Sequence, residues 1–188
     1  MSETNTSRKR VAPIIASVVG ALLVAFLWVL VTAEPNTADD ADSPLLGQPA
    51  PSIVSTTVDD EEFVLANRKG SWVIFNFFNS TCVPCIAEHP ELVAFNEREL
   101  QATNPAEIYT VINDDNDASV RAFFSKNGGD WPKVRDTDGA ISVAFGVAKV
   151  PETWVIDPNG FVRLRIAGML TPGLLDDQLA QLKAQFGS

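Results

Sequence analysis

The stretch Ser71 to Phe78, SWVIFNFF, limits what this chain can become more than any other segment. It is apolar, aromatic and β-branched, with no charge. That is the pattern of a strand buried on both faces, in the middle of a sheet with layers on either side. Short strands are expected around it at Ile53–Val58 and Glu62–Leu65, about the turn-prone Asp59-Asp60, and a second buried strand at Glu107–Asn113. Pro84 to about Leu100 is expected to be a helix with Leu92, Val93 and Phe95 on its apolar face. Ala118–Lys126 forms a shorter one, ended by Asn127-Gly128-Gly129. A brief strand at Val134–Asp136, the Asp138-Gly139 turn and a helical turn at Ile141–Phe145 follow. Two strands, Glu152–Ile156 and Phe161–Ala167, are joined by the turn Asp157-Pro158-Asn159-Gly160. The last helix is expected to be capped by Thr171, with Pro172 at its first position and an apolar stripe of Leu174, Leu175, Leu179, Leu182 and Phe186. Strands alternating with helices and closing in a hairpin and a helix give an α/β domain with a mixed sheet.

The first third is of another kind. Val11 to Val31 is 21 residues without a charge, about 30 Å as a helix, which is the hydrocarbon thickness of a bilayer. Arg8-Lys9-Arg10 stands immediately before it, so the positive-inside rule puts the N-terminus in the cytoplasm and the rest outside. Trp28 suits an interfacial anchor. The expected organisation is a basic cytoplasmic tail at 1–10, a transmembrane anchor at 11–33, an acidic flexible linker at 34–44 and a domain at 45–188. Cleavage after Val31-Thr32-Ala33 is the rival reading, but the apolar run exceeds the roughly 7–15 residues of a signal-peptide core. Either way the domain lies where disulfides persist. The first ten residues carry net +2 and the whole chain −10, so the remainder is −12. That balance argues against a nucleic-acid partner.

The chain has two cysteines, Cys82 and Cys85, spaced as Cys-Val-Pro-Cys. A bridge between them closes so small a ring that it constrains the unfolded chain little, so stability does not explain the pair. It stands where the buried strand runs into a helix. Cys82 falls at the helix N-terminus, where free N–H groups and the dipole favour a thiolate, the attacking species. Cys85 lies one turn on, placed to resolve a mixed disulfide formed at Cys82. Pro84 lacks an N–H and fits the first turn. The residues alone leave a second reading open: half of a zinc or copper site completed by His89, four residues after Cys85. Zinc wants about four ligands and the chain has no other cysteine. As an ordinary side chain, His89 is expected to be partly exposed on the helix.

From Pro44 to Ser188 the sequence resembles the thioredoxin-like TlpA/ResA/CcmG (DsbE) family. The likeness rests on Val73 to Cys85, on Ala87-Glu88-His89, on Phe145-Gly146-Val147 with Val150-Pro151-Glu152-Thr153, and on Ile156–Gly160 with Ala167-Gly168. Ala87-Glu88-His89 and Pro-Glu-Thr point to the CcmG branch. The resemblance implies a thioredoxin-like fold and a redox-active Cys82–Cys85 disulfide. It makes Pro151 a cis-proline facing the cysteines, and lets Val150 offer its backbone to a substrate peptide. It sets Glu152 near the site, where it tunes the cysteines or moves protons; a surface glutamate at a strand end is the plain alternative. Pro90 matches a helix kink. Two departures stand out. Thr81 occupies the place of a tryptophan, which alters substrate contacts, and Asn76 the place of the buried aspartate of thioredoxin proper, which leaves proton transfer to Glu152, water or some other group.

Val83 and Pro84 add no positive charge, and a strongly oxidising pair stabilises its thiolate form. A protein-disulfide reductase is therefore expected. In the family this means a bacterial, single-pass protein of the cell membrane with its catalytic domain outside. It acts on protein thiols such as apocytochrome c during cytochrome c maturation, and is fed by a membrane thiol donor of the CcdA/DsbD type. Neither cofactor nor metal is expected. The alternatives are a general extracytoplasmic oxidant or isomerase, and a copper or zinc chaperone using Cys82, Cys85 and His89. A thiol peroxidase would need a proline in a Pro-x-x-x-Thr/Ser-x-x-Cys setting, which the residues before Cys82 lack.

Overall fold

The computed structural model of the chain describes residues 8–32, 39–40 and 42–187. The expected tail at 1–7 and the expected linker at 34–38 and 41 lie outside the described residues. The chain divides into two units after Asn36. The first contains helix α1, Arg8–Thr32. Its side chains are described over 14–28, and there they are exposed throughout, Ile14 and Leu22 as much as Phe26 and Trp28. Among the described residues no helix is long and apolar enough to cross a membrane.

The second unit is built on a six-stranded sheet. Its strands are β1 (Asp39–Asp40), β4 (Val73–Phe78), β5 (Glu107–Ile112), β6 (Lys133–Arg135), β7 (Glu152–Ile156) and β8 (Val162–Ala167), in the order β1-β8-β7-β4-β5-β6. A separate hairpin pairs β2 (Val54–Thr56) with β3 (Glu62–Val64). Strand β4 runs parallel to β5 and antiparallel to β7. All six of its residues are buried, as the uncharged run requires. Alternation divides them between two cores. Ile74 and Phe78 join Cys85, Leu92 and Phe95 of α2 (Val83–Glu99) and Leu175 and Leu179 of α5 (Leu174–Phe186). Val73, Phe75 and Phe77 join Phe63, Tyr109, Phe145 and Trp154 on the other face. The remaining helices are α3 (Asp117–Asn127) and α4 (Ala140–Phe145).

Three expectations change. Thr171 does not cap the last helix. Gly173, in the left-handed region at φ 77°, is the N-cap, and Leu174 N–H donates to the Thr171 carbonyl in the turn before it. Pro172 therefore precedes the helix. Part of the expected linker is built into the fold: Asp39–Asp40 add an antiparallel edge strand against Ile166 and Ala167. The first strand is shorter than expected, because Thr57 and Val58 turn to pair with β6 through the Thr57–Val134 bridge and a Val58 N–H bond to the Lys133 carbonyl.

The β7–β8 hairpin is tied by Asp157, whose side chain is fully buried. Oδ1 accepts the N–H groups of Asn159 and Phe161, both at 2.9 Å, and Oδ2 accepts Arg163 Nε at 2.7 Å. Asp157→Ala strands three donors and is expected to destabilise by about 3–5 kcal/mol. Asp157→Asn, which keeps an accepting oxygen, is expected to cost less. The urea midpoint of each variant measures the difference.

Candidate active site

Strand β4 ends at Phe78, and the loop Asn79-Ser80-Thr81 carries the chain to Cys82. The loop is held by hydrogen bonds. Asn79 Nδ2 donates to the carbonyls of Asn113 and Asp114 at 3.0 and 2.7 Å, and Ser80 N–H donates to Asp115 Oδ2 at 2.6 Å. Thr81 turns back: its N–H and hydroxyl both donate to Asn79 Oδ1, at 2.9 and 2.7 Å. A hydrogen-bonded turn thus stands at Thr81, in the place of the family's tryptophan.

Cys82 is the N-cap of α2, and its Sγ accepts the N–H of Cys85 at 3.3 Å. The sulfur occupies the place that a serine or aspartate oxygen takes at other helix starts, so negative charge there meets a donor and the positive end of the helix. Pro84 sits in the first turn, exposed beside Val83. Cys82 is half-buried, Cys85 fully buried, and the two form a disulfide with Cα atoms 5.2 Å apart. The facing wall is the Val150–Pro151 peptide, which is cis. The Val150 carbonyl oxygen lies 3.7 Å from Cys82 Sγ. Thr81, Cys82, Pro84, Cys85, Val150 and Pro151 thus gather at one end of the sheet.

Glu152 is elsewhere. It is buried, and its carboxylate is taken by Arg165, Nη2 to Oε1 at 2.8 Å and Nε to Oε2 at 3.0 Å, with Trp154 Nε1 donating to Oε2 at 3.2 Å. Its register partner is Phe77, on the sheet face away from α2. It is neither a surface residue nor turned toward the helix that carries the cysteines. The next residue, Thr153, points there instead. Its Oγ1 accepts from Asn76 Nδ2 at 3.2 Å, and the same Nδ2 donates to Glu88 Oε1 at 2.8 Å.

Glu88 is the residue that sequence reasoning passed over. It lies three positions after Cys85, one turn along the same buried face, and is 1 % exposed. Its Oε2 accepts the N–H of Leu170 at 2.7 Å. Burial outweighs these two donors and pushes its carboxyl from the ordinary 4.5 up to about 7. His89, expected to be partly exposed, is 2 % exposed as well. Its Nε2 lies 3.0 Å from the Gly128 carbonyl oxygen, and Phe123, Phe124 and Trp131 ring it. Burial holds its imidazole below the usual histidine range, hence neutral. Positions 85, 88, 89, 92 and 95 are all buried, and their 3–4 spacing is the signal that finds both residues. Among the described residues, no group of three or more His, Cys, Asp or Glu side chains could hold a metal ion.

The model of the AhpC/TSA family matches residues 46–165. The chain belongs to the AhpC/TSA family. Among its relatives in sequence is a thiol:disulfide interchange protein DsbE homologue of Paracoccus denitrificans, 32% identical over 146 residues, covering 76% of each chain. DsbE of Pseudomonas aeruginosa is 29% identical over 171 residues, 89% of this chain and 88% of the relative. ResA of Bacillus subtilis, a thiol-disulfide oxidoreductase, is 28% identical over 137 residues, 73% of this chain and 75% of the relative. Of solved structures, a thioredoxin-family thiol:disulfide interchange protein of Chlorobium tepidum superposes with TM-score 0.64 at 26% identity, over 75% of this chain and 98% of its own. The thioredoxin domain of a Bacteroides vulgatus oxidoreductase also superposes at 0.64, with 20% identity, over 74% and 99%, and shows the fold alone. The fold is thioredoxin-like, and this AhpC/TSA member is a thiol:disulfide oxidoreductase, as the likeness of its motifs implied.

In this family member the raised carboxyl at 88 has a consequence for stability. The folded state holds the Glu88 proton more tightly than the unfolded chain does. Stability from this group is full below pH 4.5 and declines as pH rises toward about 7. The decline amounts to about 3 kcal/mol in all. Glu88→Gln is expected to flatten it. Denaturant unfolding at a series of pH values, with the disulfide intact, measures the slope in both proteins.

Proposed function

We propose that this protein is an extracytoplasmic, membrane-tethered reductase of protein disulfides, acting on apocytochrome c so that haem can be attached. The carrying observation is the asymmetry of the cysteine pair. Cys82 is reachable and held at a helix N-terminus against the Val150 carbonyl, while Cys85 is closed off behind it. A substrate disulfide is attacked by the Cys82 thiolate. One substrate sulfur leaves as a thiol and a mixed disulfide forms. Cys85 then attacks Cys82 and frees the second substrate thiol. Val150 offers backbone to the substrate beside the reacting sulfur, in the manner of an added strand.

Several features support the reducing direction and the tether. Val83 and Pro84 put no cation beside Cys82, so nothing in the first turn other than the helix itself favours the thiolate form. The DsbE and ResA relatives, matched over most of their length, are named a thiol:disulfide interchange protein and a thiol-disulfide oxidoreductase, which fits the chemistry and leaves its direction to the cysteine pair. For the tether, α1 exposes apolar side chains on every side over 14–28, within an uncharged run from Val11 to Val31 that is preceded by Arg8-Lys9-Arg10. An anchor of this kind keeps the domain near a membrane thiol donor of the CcdA/DsbD type at high effective concentration.

Cys82→Ser is expected to abolish reduction of insulin disulfides, and Cys85→Ser to accumulate mixed disulfides whose partners identify the client by mass spectrometry. The potential against glutathione is expected well below −120 mV, about the value of the oxidant DsbA. A value near that figure overturns the reductant reading in favour of a general oxidant.

A further inference from the structure

Glu88 holds one N–H donor on each carboxylate oxygen: Asn76 Nδ2 on Oε1 and Leu170 N on Oε2. Asn76 is itself buried, and its amide is used unevenly. Nδ2 serves both Glu88 and Thr153 Oγ1, while Oδ1, equally enclosed, has no partner. This arrangement suits the ionised carboxylate best, since both oxygens then accept without a competing O–H. A protonated carboxyl has one oxygen that accepts and one that donates. The Leu170 N–H belongs to the backbone and cannot turn, so Oε2 is held as an acceptor and the proton is favoured on Oε1. There it would meet another N–H. Leaving that O–H buried and unmatched costs about 1–3 kcal/mol. A primary amide can turn, since its terminal torsion is close to two-fold. Once turned, Oδ1 accepts from the Glu88 hydroxyl. Thr153, whose hydroxyl can give or take a hydrogen bond, donates to the same oxygen.

We propose that the Asn76 side-chain amide is a rotor that turns over with each change in the protonation of Glu88, the Thr153 hydroxyl switching between acceptor and donor as it does. Asn76 and Thr153 are then positioning residues for the proton chemistry of the cysteine pair. A proton passing from Glu88 to a Cys85 thiolate breaks the O–H bond at 88 and forms the S–H bond at 85. The amide then presents its N–H end to the new carboxylate. An amide cannot carry the proton, but it keeps the group that does partnered in both states. The inference deepens the proposed redox site and rests on it for its purpose.

The surroundings leave this exchange undisturbed by charge. On α2, Cys85 is in the disulfide, His89 is neutral on the Gly128 carbonyl, and Glu91 is bound to Arg98 and to the Gly173 N–H. From α5, Asp176 is held by Arg98. Strand β4 has no charged residue. On β7 and β8, Glu152 pairs with Arg165 on the far face, and Arg163 pairs with Asp157. Burial and the two N–H donors account for where Glu88 titrates, about 7.

The test is nuclear magnetic resonance of the full oxidised chain in detergent, following the Asn76 amide and the Glu88 carboxyl carbon from roughly pH 5 to roughly pH 9, a window that spans the titration of a raised carboxyl. Above the Glu88 midpoint the Nδ2 protons are expected to show cross-peaks to Glu88 and Thr153. Below it those cross-peaks are lost, with the same midpoint. In Glu88→Gln the side-chain amide at 88 donates at every pH, so the Asn76 amide is expected to stay in its low-pH orientation throughout. Cross-peaks unchanged across the Glu88 titration overturn the rotor, as does an Asn76 response to pH that survives Glu88→Gln. The readout needs no turnover, so a rotor that fails leaves the thiol chemistry standing, and a failed insulin assay leaves the rotor standing.

Discussion

A carboxyl group buried at position 88 ties together the parts of this structure that matter to its chemistry. Through Asn76 it bonds the central strand, and through the Leu170 N–H it bonds the segment leading to α5. Toward the sheet the rest of the α2 interface is apolar, with Leu92 and Phe95 packed into the core, while His89 bonds the Gly128 carbonyl. Apolar packing alone tolerates sliding and rotation; a pair of directional hydrogen bonds in its midst does not. The position of α2 on the sheet is set there, and with it the place of Cys82 at the helix start, opposite the Val150 carbonyl. Polar contacts further along reinforce the register at the surface. Glu91 accepts the Gly173 N–H, Arg98 reaches Asp176, and Lys183 reaches Glu99. The exposed pair of Arg98 with Asp176 adds little alone.

What the sequence made legible follows from the physics of each element. An uncharged run of β-branched and aromatic residues has one good solution, the centre of a sheet, and β4 is found there. The cysteine pair at its end lies at a helix start for the same reason. The environment of a polar side chain is harder to foresee. Glu88 and His89 look like surface residues by type, and only their place in the 85, 88, 89, 92, 95 stripe shows that they face inward. Glu152 and Thr153 differ by one position, and strand alternation sends them to opposite faces. Which of them faced α2 depended on the register of β7 against β4, set by a pairing between segments about 75 residues apart, which no local pattern contains. Thr171 was a sound cap by type, yet Gly173 supplies the left-handed backbone that the turn into α5 requires.

The edge of the sheet shows how the site is buttressed from the side away from α2. Arg165 lies across β7 and β8, holding Glu152 on one side and donating to the Asp42 carbonyl on the other, with its guanidinium over the Trp154 ring. Glu152 directly follows the Val150–Pro151 peptide. Its ion pair therefore fixes the strand end that presents Val150 to Cys82. A glutamate in this position, bound to Arg165 through both oxygens, bears on the site through the strand and not through proton exchange with the cysteines. Proton exchange requires a group whose two forms are close in energy.

Glu88 meets that requirement, and its burial carries an implication for the order of events at the cysteines. Cys85 and Glu88 share one buried helix face a single turn apart. A thiolate and a carboxylate so placed would repel each other in a medium that screens poorly, so a proton on one favours ionisation of the other. In the proposed mechanism a proton held by Glu88 would favour the Cys85 thiolate that attacks, and a charged Glu88 the thiol. Cys82 is under no such constraint: it is half-exposed, one turn nearer the positive end of the helix, and already bonded to an N–H. In the proposed mechanism the first attack therefore belongs to Cys82. The second would then wait on a proton leaving Cys85, which would separate capture of a substrate from its release.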